Sequence, residues 1–310
     1  MLDRHLNVKG KTVYVLKSTF SQLRPARKWN LRQISISYRW KGKNMNQRTY
    51  SWNPDDYLKH SCAQYEWAQE LISKLCLIGE ESVLDIGCGD GKITALISSY
   101  LKNGSITGID SSADMIALAQ KTFPPSKHPN LSFVLLDATK LQFKHQFDIA
   151  FSTAALHWVK DQISVLKGVK KSLKKSGRIL FQMGGKGNAE DIIAAVNGII
   201  KNEKWRSYFK NFSFPYAFYS PDEYKQLLYD VKIFPKRLEL IPKDMTQKGK
   251  EGLAGWIRTT WLPYTRRIPE NERSNFINDI IDSYAKIFPI DDNGLFHVKM
   301  VRLEVEAINP

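Results

Sequence analysis

Three cysteines, Cys62, Cys76 and Cys88, are too few for a disulfide framework and fall at no zinc-ligand spacing. No apolar run approaches the roughly 18 residues needed to span a bilayer, and no signal-like apolar stretch follows the first methionine. G-x-S-x-G, H-E-x-x-H, C-x-x-C and Walker sequences are all missing, which leaves hydrolase, metal and nucleotidase readings without residues. Neither an internal repeat nor a low-complexity tract is present. With 43% hydrophobic and 25% charged residues over 310 positions, the chain reads as a reduced cytoplasmic enzyme, monomeric, with no metal and no membrane segment.

Acidic residues are scarce in one place. Positions 1–44 hold eleven Lys and Arg against Asp3 alone, so this stretch carries most of the +15 net charge. The rest of the chain keeps only a solubility-level surplus, which argues against a nucleic-acid footprint. Two alternating stretches in this region, KTVYVLK and ISISYRW, have no further apolar segment to pack on. Residues 1–44 are therefore expected to be a disordered tail, an upstream start-site artefact or a small added hairpin, with the functional domain spanning 45–310.

What is present from Tyr50 onward is alternation. Tyr65, Ala68, Leu71, Ile72 and Leu75 recur at helical spacing before Gly79. Strands are predicted at 82–86, 105–109, 132–136, 147–152 and 178–183. Helices fall between them: one after strand 82–86, where Ile93, Leu96, Ile97, Tyr100 and Leu101 share a face, and others at 112–121 and at 160–174. Strands alternating with helices imply a parallel sheet covered on both faces. Lysines 167, 170, 171, 174 and 175 read as the solvated side of their helix. Beyond 185 the pattern turns helical. Ser220-Pro221-Asp222-Glu223 is a capping box, and a strand near 236–241 precedes helices at about 248–262 and 270–288 and a last strand at 295–305. Helical cap insertions are expected at about 186–230 and 245–290.

The strongest local signal is VLDIGCGDGKIT, residues 83–94. An apolar strand passes Asp85 into Gly87, Cys88 and Gly89, and then into a helix. Glycines at such a turn let a ligand approach the backbone. The G-x-G-x-G spacing and the preceding acid disfavour a diphosphate and suit a sulfonium amino acid with a free ammonium group. Strand SITGID ends on Asp110, followed by Ser111, where a carboxylate can accept ribose hydroxyls. LSFVLLD ends on Asp137, followed by Ala138, where a carboxylate can accept an adenine amino group. Either acid also suits a helix cap. Thr153 follows the next strand at the same edge.

These residues resemble the class I S-adenosylmethionine-dependent methyltransferases over residues 50–305. The resemblance implies a Rossmann-like, doubly wound, mostly parallel seven-stranded sheet with an antiparallel last strand. It makes S-adenosylmethionine the cofactor and gives the Gly87–Gly91 turn to its methionine moiety, Asp110 to the ribose and Asp137 to the adenine. Met115 then either packs on the adenine face or belongs to the core. SWNPDDYLKHS (51–61), ITGIDSSADMIALA (106–119), FDIAFSTAALHWVKD (147–161) and, in part, GWIRTTWLPY (255–264) are similar to the trans-aconitate methyltransferase group. Arg258, Trp261 and Arg266 depart from that pattern, in the part of the chain that decides the substrate.

The segment after strand 147–152 bears on the acceptor. Ser152-Thr153-Ala154-Ala155-Leu156-His157-Trp158 lacks the Asn/Asp-Pro-Pro-Tyr set of amino-group methyltransferases. A carboxylate is already ionised at neutral pH, so its methylation needs alignment and a dry enclosure rather than a base. Tyr50, Trp52, Tyr57, Trp158, Trp256 and Tyr264 are candidates for that enclosure. Arg258, then Arg266 and Arg267, are candidates for a bidentate grip on a small carboxylic acid. His157 is a base for an oxygen or carbon acid, a positioning residue, or a structural histidine. The alternatives are a carrier-bound acyl carboxylate, a hydroxyl or carbon acid, RNA reached through the basic N-terminus, or cofactor binding without turnover.

Overall fold

The computed structural model describes residues 6–8, 11–13 and 62–310, and side chains from residue 65 onward. The chain divides into two units, Met1–Gln47 and Arg48–Pro310. In the first, strands β1 (Leu6–Val8) and β2 (Lys11–Val13) form an antiparallel hairpin. Most of KTVYVLK, all of ISISYRW, and Tyr50, Trp52 and Tyr57 lie outside the described residues.

The second unit is built on one seven-stranded sheet. In chain order its elements are α1 (Cys62–Ser73), β3 (Ser82–Ile86), α2 (Lys92–Tyr100), β4 (Ser105–Asp110), α3 (Ala113–Thr122), β5 (Leu131–Leu135), β6 (Phe147–Thr153), α4 (Gln162–Ser172) and β7 (Leu173–Gly184). Next come α5 (Glu190–Ile199), α6 (Pro221–Asp230), β8 (Phe234–Lys248), α7 (Gly249–Thr260), α8 (Leu262–Thr265), α9 (Arg273–Ala285) and β9 (Leu295–Ile308). The sheet order is β5-β4-β3-β6-β7-β9-β8, with β3 to β7 parallel and β9 antiparallel to both of its neighbours. This is the expected Rossmann-like α/β sheet with its antiparallel last strand and helical insertions. The chain runs outward from β3 to β5 and returns beside β3 with β6. That reversal opens a crevice at the C-terminal strand ends, where open α/β sheets take ligands.

Two apolar cores sandwich the sheet. One joins α4 and α6 to β7 through Val165, Leu166, Val169, Tyr224 and Phe181; the other joins α1 and α2 to β3 through Leu71, Leu75, Ile97 and Val83. A third core fills the cap. Ile192 and Val196 of α5, Trp256 of α7, and Phe276 and Ile280 of α9 pack there on Met245, Val298 and Met300. The capping box forms as expected: Glu223 N donates to Ser220 Oγ at 3.3 Å, and Ser220 N donates to Glu223 Oε2 at 2.7 Å.

Several sequence expectations are corrected. The strand expected near 236–241 runs on to Lys248, because its outward alternation continues past Pro242. That proline is tolerated at an edge strand, where no outer neighbour needs its N–H. In α2 the buried positions are Thr94, Ile97 and Ser98 with Leu101 following, while Tyr100 stands out in solvent. Tyr65 is likewise exposed on α1. Of the lysines on and after α4, Lys170 donates to the Val231 and Lys232 carbonyls and Lys174 pairs with Asp148 at 2.8 Å, so only Lys167, Lys171 and Lys175 are fully solvated.

Candidate active site

The turn after β3 is fixed by backbone geometry that favours glycine. Gly87, Gly89 and Gly91 have φ of 80°, 53° and 82°, a region costly for any residue with a Cβ. At Gly87 a Cβ would lie 2.1 Å from the Ala155 Cβ, and at Gly91 2.5 Å from the Phe133 ring. Those two glycines serve packing. At Gly89 a Cβ would meet nothing within 4 Å, so the turn presents open space there. Gly87 N and Cys88 N both donate to the Ile109 carbonyl, at 2.8 and 2.9 Å, which ties the turn to β4.

The acids fall into three environments. Asp85 is 1% exposed, receives the Thr94 hydroxyl at 2.7 Å on Oδ2, and has no partner for Oδ1 among the described residues. Burial pushes its carboxyl up to about 7, the Thr94 hydrogen bond opposes the rise, and the Asp110 charge adds to it. Asp110 accepts Gly89 N at 3.0 Å and Ser112 N at 2.8 Å. Burial raises its carboxyl above the ordinary range, against the backbone N–H groups of Ser112, Gly89 and Ser111. Asp137 caps the short turn Ala138–Lys140 by accepting Thr139 N at 2.9 Å, and pairs with Lys140 at 3.4 Å. Partial burial pushes Asp137 up, but Thr139 and Lys140 outweigh it and hold the carboxyl below its usual range.

Beyond the end of β6 lies a cluster of packed rings. Ser152 donates to the Ile86 carbonyl at 2.7 Å, closing the seam between β6 and β3. His157 sits in the short turn Leu156–Trp158, with ring centroids of Trp158, Tyr216 and Phe218 5.9–6.0 Å away. Tyr216 and Phe218 stack at 5.5 Å, and Tyr216 continues edge-on to Trp158 at 4.9 Å and Trp261 at 5.9 Å. Gly184 N donates to His157 Nδ1 at 3.4 Å. Burial, with the Arg302 charge adding to it, holds the His157 imidazole well below its ordinary range, so the ring is neutral. Nδ1 is the acceptor, so the ring proton belongs on Nε2.

Residues 84–181 match the family model for a methyltransferase domain. A putative methyltransferase of Invertebrate iridescent virus 6 is 27% identical over 233 residues, covering 75% of this chain and 85% of the viral protein. A trans-aconitate 2-methyltransferase of an Enterobacter species is 25% identical over 258 residues, covering 81% and 96%. Among solved structures, a putative methyltransferase from Bacillus halodurans superposes with a TM-score of 0.55 at 18% identity, covering 78% of this chain and 98% of that one. The family-model match, the relatives and the fold together support the class I S-adenosylmethionine-dependent methyltransferase superfamily for this chain.

Within this methyltransferase fold, Asp85, Gly87, Gly89, Asp110, Asp137 and Thr153 gather along the crevice. Cys88 lies under the turn against Gly108, and burial, with Asp85 and Asp110 adding to it, pushes its thiol well above the usual range. Ser111 is exposed, and Ala138 and Thr153 are half-buried. Met115 is a buried residue of the first turn of α3. Trp256 and Tyr264 belong to the cap core and reach the ring cluster only through Trp261, which contacts both of them and Tyr216. Arg258 and Arg266 are exposed at helix ends, and Arg267 donates to the Tyr208 carbonyl at 3.1 Å against the Phe212 ring. Sequence reasoning missed Tyr216, Phe218 and Arg302. The first two had a signal: Phe212, Phe214, Tyr216 and Phe218 alternate with the period of an extended segment. Arg302 had none, being one polar residue in an apolar strand.

Proposed function

We propose that this chain is an S-adenosylmethionine-dependent O-methyltransferase whose acceptor is a carboxylate of a small organic acid. The observation that carries the reading is the neutral His157 packed among the rings of Trp158, Tyr216 and Phe218. A ring whose Nδ1 accepts Gly184 N–H, and whose remaining nitrogen carries the proton, offers a hydrogen-bond donor and no base. The Ser152 hydroxyl beside it is engaged with Ile86 O, so no amine-accepting set stands at the end of β6. A nucleophile used there has to arrive ionised, and a carboxylate does.

The crevice suits the cofactor. Asp85 holds a buried oxygen without a donor, which an ammonium group satisfies, and the open space at Gly89 lets a ligand lie against the backbone. We assign the methionine moiety to the turn at Gly87, Cys88 and Gly89, the ribose to Asp110 with Ser111, and the adenine end to Asp137, Ala138 and Met115. When bound, S-adenosylmethionine supplies an electrophilic methyl group on a sulfonium. The protein's share is alignment of the carboxylate oxygen and exclusion of water by Trp158, Tyr216, Phe218 and Trp261, in a step that neutralises charge and gains from a dry site. Trans-aconitate, the acid named for the Enterobacter relative, is one member of the class to be tried.

The test is methyl transfer from labelled cofactor to a panel of mono-, di- and tricarboxylic acids, with amines, phenols and RNA alongside. Base-labile methyl esters are the expected products. Preferred labelling of an amine or of RNA would end the carboxylate reading, and binding of cofactor with no transfer to any acceptor would leave a cofactor-binding protein.

A further inference from the structure

Unlike Arg258 and Arg266, which are exposed, Arg302 is buried: it is 3% exposed on β9. It pairs directly opposite Gly184 of β7 and Ile241 of β8. Residues directly opposite in an antiparallel pair point to the same face of the sheet. That face is identified at Gly184, where a Cβ would lie 2.6 Å from the Phe218 ring. Gly184 also donates its N–H to His157. The Arg302 side chain therefore leaves the sheet on the side that carries Phe218 and His157. Its guanidinium lies 5.5 Å from the Trp67 ring centroid, a second aromatic wall on the same side.

The charge relationships agree with this placement. Arg302 acts on His157 across a buried medium and helps to keep that ring uncharged. A guanidinium keeps its proton at any pH the protein tolerates, so the influence of Arg302 on His157 does not depend on pH. Arg258 is exposed near the end of α7.

We propose that Arg302, not Arg258, holds the carboxylate of the methyl acceptor. The His157 Nε2–H donates beside it, and both act as specificity-determining residues. The inference rests on the carboxylate reading above. The planar fork of Arg302 fixes the acid in one plane, which leaves one carboxylate oxygen directed for attack. The cation–π contact with Trp67 supports the guanidinium from behind and is kept when the acid is absent.

The experiment compares the parent protein with Arg302→Gln, Arg302→Lys and Arg258→Ala, using whichever acid the panel selects and its neutral amide as competitor. Acceptor KM is read at saturating cofactor, cofactor Kd by calorimetry, and acid binding by titration into protein loaded with S-adenosylhomocysteine. The expected result is a rise of at least tenfold in acceptor KM and acid Kd for Arg302→Gln and a smaller rise for Arg302→Lys. Cofactor Kd should stay within twofold, and Arg258→Ala should lie close to the parent. Arg302→Lys keeps the buried charge, and it carries the test if Arg302→Gln fails to fold. An active parent whose acid KM and Kd are unchanged in folded Arg302 variants, or are raised only by Arg258→Ala, overturns this inference alone. A parent that methylates no acid overturns the carboxylate reading and this inference together.

Discussion

Thr94 donates its hydroxyl to Asp85 across 2.7 Å of protein interior, from the buried face of α2 to the last turn of β3. That contact explains why a threonine occupies a core position where the helical pattern calls for an apolar residue. It satisfies one carboxylate oxygen, and the other has no donor among the described residues.

Asp85 predicts two opposite pH effects. Its folded-state value of about 7 lies above the ordinary 3.8, so the folded protein binds the proton more tightly than the unfolded chain. Cofactor-free stability should therefore fall as pH rises from about 4 to about 7 and level off above. Asp85→Asn should be the more stable protein at pH 8, by on the order of 1–4 kcal/mol. Cofactor affinity should move the other way, rising from pH 5.5 to 7.5 as the carboxylate ionises, and be weak and flat in Asp85→Asn. Thermal denaturation and calorimetry at matched pH check both; a parent affinity constant over that range would remove Asp85 from the cofactor site.

The glycine turn should separate packing from binding. Gly87→Ala places a Cβ 2.1 Å from Ala155 and should cost roughly 2 kcal/mol or more of stability. Gly89→Ala meets no protein atom and should cost only about 1 kcal/mol for its left-handed conformation. Its effect should fall on S-adenosylmethionine, with affinity reduced tenfold or more. Equal affinity losses per unit of lost stability in the two variants would contradict this division.

For a carboxylate acceptor, which needs no base, the rate at saturating cofactor and acceptor should be nearly independent of pH from about 6 to 9. His157→Ala should lower kcat while the profile keeps its shape. A parent rate that climbs through a histidine-like pKa and flattens in His157→Ala would instead assign proton abstraction to this residue.

Glu304 is buried in the sheet, where it receives both Lys74 contacts at 3.0 and 2.8 Å, Arg237 at 2.9 Å and Gln182 at 3.0 Å. Burial pushes its carboxyl up, but these donors prevail and hold it below the ordinary range. The stability it contributes is thus present above the unfolded-state value and lost as pH falls through the lowered folded one. Glu304→Ala should cost about 2–4 kcal/mol at pH 7, less than a fully sealed ion pair because Lys74 and Arg237 keep some solvent. The deficit should shrink in acid. Urea unfolding at pH 7 and pH 3.5 measures both.

The sheet was legible in the sequence because β3, β4 and β5 are apolar runs that lead into an acid or a glycine, at Asp85 and Gly87, at Asp110 and at Asp137. The cofactor crevice was legible for the same reason, since its residues are local to strand ends. The ring cluster around His157 was not. Trp256 and Tyr264 look like wall residues in sequence, yet the cap core absorbs them, while Tyr216 and Phe218 come from an extended segment that belongs to neither strand nor helix. Arg302 becomes visible only when β9 is laid against β7, because its meaning is a cross-strand register and not a motif.

The paired strands β8 and β9 run together from Phe234 opposite Ile308 to Lys248 opposite Leu295, with one register shift between Pro235 and Arg237. Mechanically they act as a beam clamped at both ends, with Arg302 partway along its span. A beam of this kind transmits load. Changes to the cap core around Met245 or Val298, made to admit a different acid, will be felt as a tilt of the guanidinium and as a lower melting temperature of the whole unit. Selection for new acceptors in this protein should therefore recover second mutations along the ribbon itself, far from any atom of the ligand.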